Sequence, residues 1–382
     1  MPYEIELVRR MADVDRAEWN ALVGDDGSPF LEWEWLAALE DSGCATAETG
    51  WAPHHVVARS RGKIVGAAPM YLKGHSQGEF VFDHSWAEAA EQAGLRYYPK
   101  LLVAVPFTPA GGRRLLTHPS ERRGPLLAVL AKALREICDG NEISSIHVNF
   151  CAQDEVGALR EAGFLHRNGL QYHWRNRGYE RFEDYLATLR SKRRIQVRRE
   201  RRSIAEAGIT IGVHEGSAIG DELFEPMFRI YLSTIEKMYW GRQYLNLALF
   251  QRLSEGWKRN LCFIAARRGG ELIAGAVNVQ KAGVLYGRYW GAFEEVRNLH
   301  FEVCYYSGIE HCIERGLERF EPGAGGEFKY WRGFEPVLTH SMHYLPHPEF
   351  ARAVRRFLER ERAHLEGMVE EMRGREKPGV RA

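Results

Sequence analysis

"HVVARSRGKIVGAAPMYLK" (55–73) and "CFIAARRGGELIAGAVNVQK" (262–281) decide the fold, because each half of the chain carries one of them. Both run an apolar strand into a basic, glycine-containing turn and leave it through Ile-x-Gly-Ala, at 64–67 and 273–276. Two short apolar runs separated by such a turn read as a β-hairpin. The sequences that follow also match. After the first hairpin come a strand over 101–107 ("LLVAVPF"), a helix over 125–138 ("PLLAVLAKALREIC") and a strand over 145–150 ("SIHVNF"). After the second come a strand over 284–290 ("VLYGRYW"), a helix over 301–315 ("FEVCYYSGIEHCIER") and a short strand near 318–321. The order hairpin, strand, helix, strand, met twice, predicts two α+β domains of one design. Chance likeness between two common hairpins is the competing account, and the matching order of the later elements argues against it.

Between the halves lies "FEDYLATLRSKRRIQVRRERRSIAEAGI" (182–209), which reads as a helix ending at Gly208. Lys192, Arg193, Arg194, Arg198, Arg199, Arg201 and Arg202 crowd one segment of it, opposed only by Glu200. Arg194, Arg198 and Arg201 share a face, while Leu189, Ile195 and Ile204 can point elsewhere. A solvated helix face is the plain account of a charge run. At this density like charges repel at i,i+4 spacing, which favours a phosphate-bearing partner that relieves them. Residues 348–373 form an amphipathic helix, with Phe350, Val354, Phe357, Leu365, Met368 and Met372 at helical spacing, before a frayed tail. The expected boundaries are a first domain over 1–180, a basic linking helix over 181–208, a second domain over 209–345, and the terminal helix and tail over 346–382.

The remaining composition narrows the function. A chain of 382 residues, 45% hydrophobic and 27% charged, has material for two ordinary cores. Its net charge of +1 gives no global pull toward nucleic acid or membrane, so any electrostatic role is local. No apolar run approaches the roughly 20 residues of a membrane span, and the start lacks a signal-peptide core, which points to the cytoplasm. The six cysteines are scattered with no Cys-x-x-Cys pair, as expected of reduced, mostly buried thiols.

"GAGGEFKYWRGFEP" (323–336) is the stretch with most chemistry. Its glycines permit close approach of backbone to a ligand. Lys329 offers a point charge, Arg332 a bidentate fork, and Trp331 an aromatic face for a polar, partly anionic ligand. The same aromatics, Phe328, Trp331 and Phe334, can instead fill a core and leave Lys329 solvated.

Five segments carry a family resemblance: "PFLEWEWLAALEDSG" (29–43), "GAAPMYLKGHSQGEFVFDHSWAEA" (66–89), "YYPKLLVAVPFTPAGGRRLL" (97–116), "QYHWRNRGYERFEDYLATLRSKRR" (171–194) and "GEFKYWRGFEP" (326–336). Together with the duplicated unit and the basic helix, they make the chain resemble the Fem aminoacyltransferases. It is more similar still to the FemAB-like proteins of peptidoglycan biosynthesis and recognition, within the GCN5-related N-acyltransferase (GNAT) superfamily. The resemblance implies two tandem GNAT-like domains and an amide-forming acyltransferase without a tightly bound cofactor. The implied donor is aminoacyl-tRNA or acyl-CoA, and the acceptor an amine, such as that of a peptidoglycan-precursor peptide. Leu189, Lys192, Arg194, Arg198 and Arg199 match the family's spaced basic residues at the entrance of the second domain. Phe328, Lys329 and Phe334 match its Phe-Lys-x-x-Phe segment with one extra residue in the spacing. In that family the lysine lies near the reacting acyl group or the substrate's phosphate, which singles out Lys329. Strand "GRYWGAF" (287–293) corresponds to the splayed GNAT strand on which acyl donors lie, making Tyr289 and Trp290 lining candidates. The match also covers Asp83, His84 and His173, implied to line a first-domain cleft rather than to be satisfied core residues.

Amine acylation requires that the site orient both partners, take up a proton and stabilise an oxyanion. Lys329 is the candidate stabiliser. Glu327, His300, Tyr306 or a water chain can serve as base. GNAT enzymes that use acyl-CoA hold its pyrophosphate on a glycine-containing loop at a helix N-terminus. The second half has "AFEEVRNLHFEV" (292–303) at that point and the first half a degenerate "ERRGPL" (121–126), which favours an aminoacyl-tRNA-like donor. An acyl-CoA-dependent N-acetyltransferase of small amines and a non-catalytic precursor-recognition protein are the alternatives, and nucleic-acid binding as the main purpose is the weakest. His340, His343 and His347 cluster, but i and i+3 on a strand face opposite ways and no carboxylate or cysteine completes a set, so no metal is expected.

Overall fold

A computed structural model describes residues 3–237 and 242–374, with the side chains of residues 327 and 373 outside the description. Both quoted segments are hairpins, His55–Ser60 with Lys63–Ala68 and Leu261–Arg268 with Glu271–Lys281. Each turns through two residues at positive φ, Arg61 and Gly62 in one, Gly269 and Gly270 in the other. Such turns match the natural twist of antiparallel strands.

Two compact units result, and both are α+β. The first holds residues Met1–Gly169 and Leu338–Gly367, the second Leu170–Val337 and Met368–Ala382. In the first, the hairpin lies within a sheet ordered Glu4–Val8, His55–Ser60, Lys63–Ala68, Leu116–Thr117. A further set pairs Met70–Lys73 with Lys100–Val103 antiparallel, and Lys100–Val103 with Ile146–Cys151 parallel. Helix Arg123–Gly140 makes the parallel crossover and buries Leu126, Leu130, Leu134 and Cys138, one stripe at helical spacing, against Val103, Ile146 and Val148. Helix Pro348–Gly374 contributes Val354 and Leu358 to a smaller cluster with Trp86 and Tyr97.

The second unit repeats the plan. Strands Ile209–Glu215, Leu261–Arg268, Glu271–Lys281 and Val284–Ala292 are antiparallel neighbours, and Arg319–Glu321 joins Val284–Ala292 in parallel. The crossover is a helical stretch from Leu299 to Glu314 whose middle, Glu302–Tyr306, winds as a π-turn. The basic segment is two helices, Phe182–Thr188 and Ser191–Glu206, broken by extended backbone at Leu189.

The unit boundaries depart from those expected of the sequence. Residues 338–345 fall with the first unit and 170–180 with the second, and the basic helix lies inside the second. The cause is pairing at long range: His340 to Tyr344 pair with Ile146–Cys151, and Trp174 and Arg175 with Phe320 and Arg319. Ile195, drawn as able to turn away from the charged face, is 62% exposed.

Strand Val284–Ala292 and helix Phe224–Glu236 approach so closely at Gly291 that a Cβ there would lie 1.8 Å from the Ile230 carbonyl oxygen. The obstacle is backbone and cannot rotate aside. Gly291→Ala is expected to cost at least the ~1–3 kcal/mol of ordinary overpacking, read as a lower denaturant midpoint; an unchanged midpoint would show that the contact is not tight.

Candidate active site

In each unit the parallel strand pair separates after three registered residues, and the two separations differ. In the first, Leu101, Leu102 and Val103 pair with Ile146, His147 and Val148 before the strands part. The gap is closed by Arg114, 1% exposed. Its Nε donates to the Asn149 carbonyl at 2.9 Å, its Nη2 to that of Ala110 at 2.6 Å and its Nη1 to that of Gly112 at 3.2 Å. A guanidinium is large enough to satisfy several carbonyls that would otherwise lose water unpaired.

In the second, Val284, Leu285 and Tyr286 pair with Arg319, Phe320 and Glu321, and then the strands splay around a cavity of about 280 Å³. Two local features open it. The pairing of Glu271–Lys281 with Val284–Ala292 skips Arg288, a bulge that bends the strand away. On the other side Pro322 follows the last registered residue, and Gly323, Gly325 and Gly326 take φ of 86°, 74° and 87°, which side-chain-bearing residues rarely adopt. The glycines seen in the sequence therefore shape the cavity rim.

Lys329 lines this cavity from the tight turn Glu327–Arg332 and is 2% exposed. Its Nζ donates to the Gly323 carbonyl at 2.7 Å and, more loosely, to that of Ala324 at 3.4 Å. Burial pushes its pKa down to about 8, with Cys304 acting weakly the other way. An ammonium carries three N–H groups, so a charge held by two neutral carbonyls keeps one for a developing anion. Tyr289, Trp290 and His300 line the same cavity. Trp290 and His300 meet edge to face at 5.2 Å. Burial, reinforced by Arg332 and Lys329, pushes His300 down to about 4, so its imidazole is neutral at pH 7.

Other sequence candidates lie elsewhere. Tyr306 is fully buried outside the cavity, donating to Glu200 and accepting from Arg332 Nε at 2.7 Å. Burial first, and the Glu200 carboxylate with it, hold its phenol far above the usual range, so it is no base. The π-turn is the physical reason: it brings Cys304 and Tyr305 to the cavity alongside His300 and turns Tyr306 away. Arg332 is not an open fork, being 6% exposed, 3.1 Å from Glu200 and stacked 3.7 Å over Phe301. Trp331 packs under Arg193 at 4.5 Å rather than in the cavity. Glu327 opens the turn, and its side chain lies outside the described residues.

On the basic helix, Lys192 is exposed, Arg194 half-buried, and Arg198 pairs with Glu183. Arg201 turns inward to Glu302 and Glu310 over the Phe182 ring, so it does not share an open face with Arg194 and Arg198.

Asp83 and His84 do not converge on a cleft. Asp83 is buried in the first unit, accepting from Lys100 and, at 2.6 Å, from the Tyr97 hydroxyl. Lys100 also donates to Ser76 Oγ and Glu79 at 2.8 Å each. Burial pushes Glu79 up to about 7 and the neighbouring Lys73 down to about 7. His84 is exposed beside Phe82. His173 lies in the second unit, bonded to Gln171 at 3.1 Å, and burial pushes it down to about 3. His340 and His343 pair separately with His166 and His147, and among the described residues no group of three potential ligands gathers.

Two α+β units with splayed parallel strands, one splay filled and one open around a buried lysine, define a tandem GNAT-like architecture. The chain belongs to the FemAB-like family of peptidoglycan biosynthesis and recognition, whose model matches residues 10–378, and it is an N-acyl- or aminoacyltransferase acting in peptidoglycan-related processes. Among solved structures, it is similar to the C-terminal domain of a putative lysylphosphatidylglycerol synthetase from Agrobacterium fabrum, with TM-score 0.58 and 11% identity over 90% of this chain and 95% of that one. FemX gives 0.53 and 12% over 92% and 100%. L-PGS from Bacillus licheniformis gives 0.53 and 10% over 93% and 99%. At these identities the likeness is one of fold. No curated protein matches the sequence.

Glu200 accepts from Arg332, Tyr306 and Gln196 while 5% exposed. Glu200→Ala leaves the Arg332 charge buried without its carboxylate and is expected to cost ~3–5 kcal/mol. Chemical denaturation checks this; a loss below ~1 kcal/mol would mean that the pair does not hold the Lys329 turn.

Proposed function

We propose that the second unit binds the activated acyl group of an aminoacyl ester, with its carbonyl oxygen facing Lys329, and transfers it to the amine of a peptidoglycan-precursor peptide. The observation that carries this reading is the buried Lys329 ammonium at the opening between two splayed strands. The acceptor nitrogen attacks the carbonyl, a C–N bond forms, and the ester C–O bond breaks. The leaving hydroxyl of the donor recovers the proton that the amine gives up. Lys329 donates to the oxygen that becomes negative in between, the step where a preorganised donor gives most. His300, neutral in the same cavity, is the group that relays the proton in this reading.

Charge favours the ester donor over acyl-CoA. Segment 293–298, where a CoA pyrophosphate would lie, carries Glu294 and Glu295, and Glu294 pairs with Arg268. The helix there starts at Leu299 behind a left-handed Asn298. Carboxylates repel a pyrophosphate at the position where free N–H groups are needed.

With charged tRNA as donor and a precursor peptide as acceptor, Lys329→Ala is expected to lower turnover by ~10²–10³ while leaving acceptor affinity intact. Equal turnover would remove Lys329 from the chemistry, and lost affinity would assign it to binding alone. Wild-type turnover should fall as pH rises through about 8, where the ammonium deprotonates, and Lys329→Arg should lose that alkaline limb. Calorimetric titration with acetyl-CoA should give no heat of binding; micromolar binding would restore the acyl-CoA reading.

A further inference from the structure

Helix Ser191–Glu206 has two faces with different occupants. Val197, Glu200 and Ile204 are buried in the second unit. The opposite stripe, at positions 192, 195, 199 and 202, is exposed throughout: Lys192, Ile195, Arg199 and Arg202. Arg198 borders it and is engaged with Glu183. Glu206 closes it at the C-terminal end. Among the described residues, Lys192, Arg199 and Arg202 have no ion-pair partner. Ile195, 62% exposed, stands in the middle of these three cations.

We propose that this stripe docks the protein on an anionic phospholipid surface, with the cations on headgroup phosphates and Ile195 entering the headgroup layer. A polynucleotide backbone takes the charges equally well but gives an exposed isoleucine nothing to enter. A phospholipid surface satisfies both, since binding there combines buried apolar area with attraction to anionic headgroups. The cations follow one another at helical spacing on one side, so they meet a plane together. No described helix is long and apolar enough to cross a membrane. The inference extends the proposed function by stating where the acceptor is met, and its test does not need turnover.

The full chain is sedimented with phosphatidylcholine vesicles and with phosphatidylcholine–phosphatidylglycerol vesicles. Binding is expected only to the second kind. Lys192→Gln with Arg199→Gln should weaken it about 25-fold, at roughly fivefold per charge. Ile195→Gln should weaken vesicle binding and leave binding to a charged tRNA unchanged. All three positions are exposed, and thermal melts check that the variants remain folded. Lys329→Ala should bind vesicles as the wild type does, so failed acyl transfer and failed docking are separate results. Absence of phosphatidylglycerol-dependent binding, indifference to Ile195→Gln, or displacement of vesicles by tRNA through the same cations would overturn the proposal; the last would make the stripe a nucleic-acid face.

Discussion

A single buried carboxylate, Glu200, ties down the turn that carries Lys329. It comes from the inner face of a helix dense in arginine and accepts from Arg332 and Tyr306 at once. Arg332 ends the turn that carries Lys329, and Tyr306 ends the π-turn that carries Cys304. The turn and the π-turn that line the cavity are thereby tied to one anion. A buried ion pair contributes little net stability over an apolar replacement, but it is costly to break and fixes register well. Register is what Lys329 needs, because among the described residues its ammonium is held by two loop carbonyls.

The duplication gives the two units one architecture with different occupants where their parallel strands part. Both units part their parallel strands after three residues, so both inherit a gap. Arg114 fills the first gap and turns its carbonyls into the ligands of a guanidinium. Pro322, the glycines that follow and the bulge at Arg288 keep the second open. The polar groups of the first unit, from Lys73 to Asp83, are spent on one another in a buried charge network, an arrangement that specifies a core.

Local chemistry made much of this legible. The paired hairpins show in their turn residues, the crossover helices in their apolar period, and the cavity lysine in its glycine-rich approach. What sequence could not reveal rests on contacts made far along the chain or on irregular winding. Arg332 looks like an open fork until Glu200, more than a hundred residues earlier, is found against it. Glu200 itself looks like a lone counter-charge on a basic helix. Tyr306 and Tyr305 are adjacent in sequence, and only the π-turn decides which one meets the cavity. The strand Glu335–Tyr344 gives no sign that its second half completes the first unit.

In the proposed function the open splay of the second unit, and not that of the first, receives the activated acyl group against Lys329. The most direct test is a crystal structure with a stable amide analogue of an aminoacylated tRNA 3′ end. The account predicts the acyl carbonyl oxygen within hydrogen-bonding distance of Lys329 Nζ, between the strands that carry Tyr289 and Pro322. An acyl group bound in the first unit, or one that leaves Lys329 on its loop carbonyls without touching it, would contradict the account.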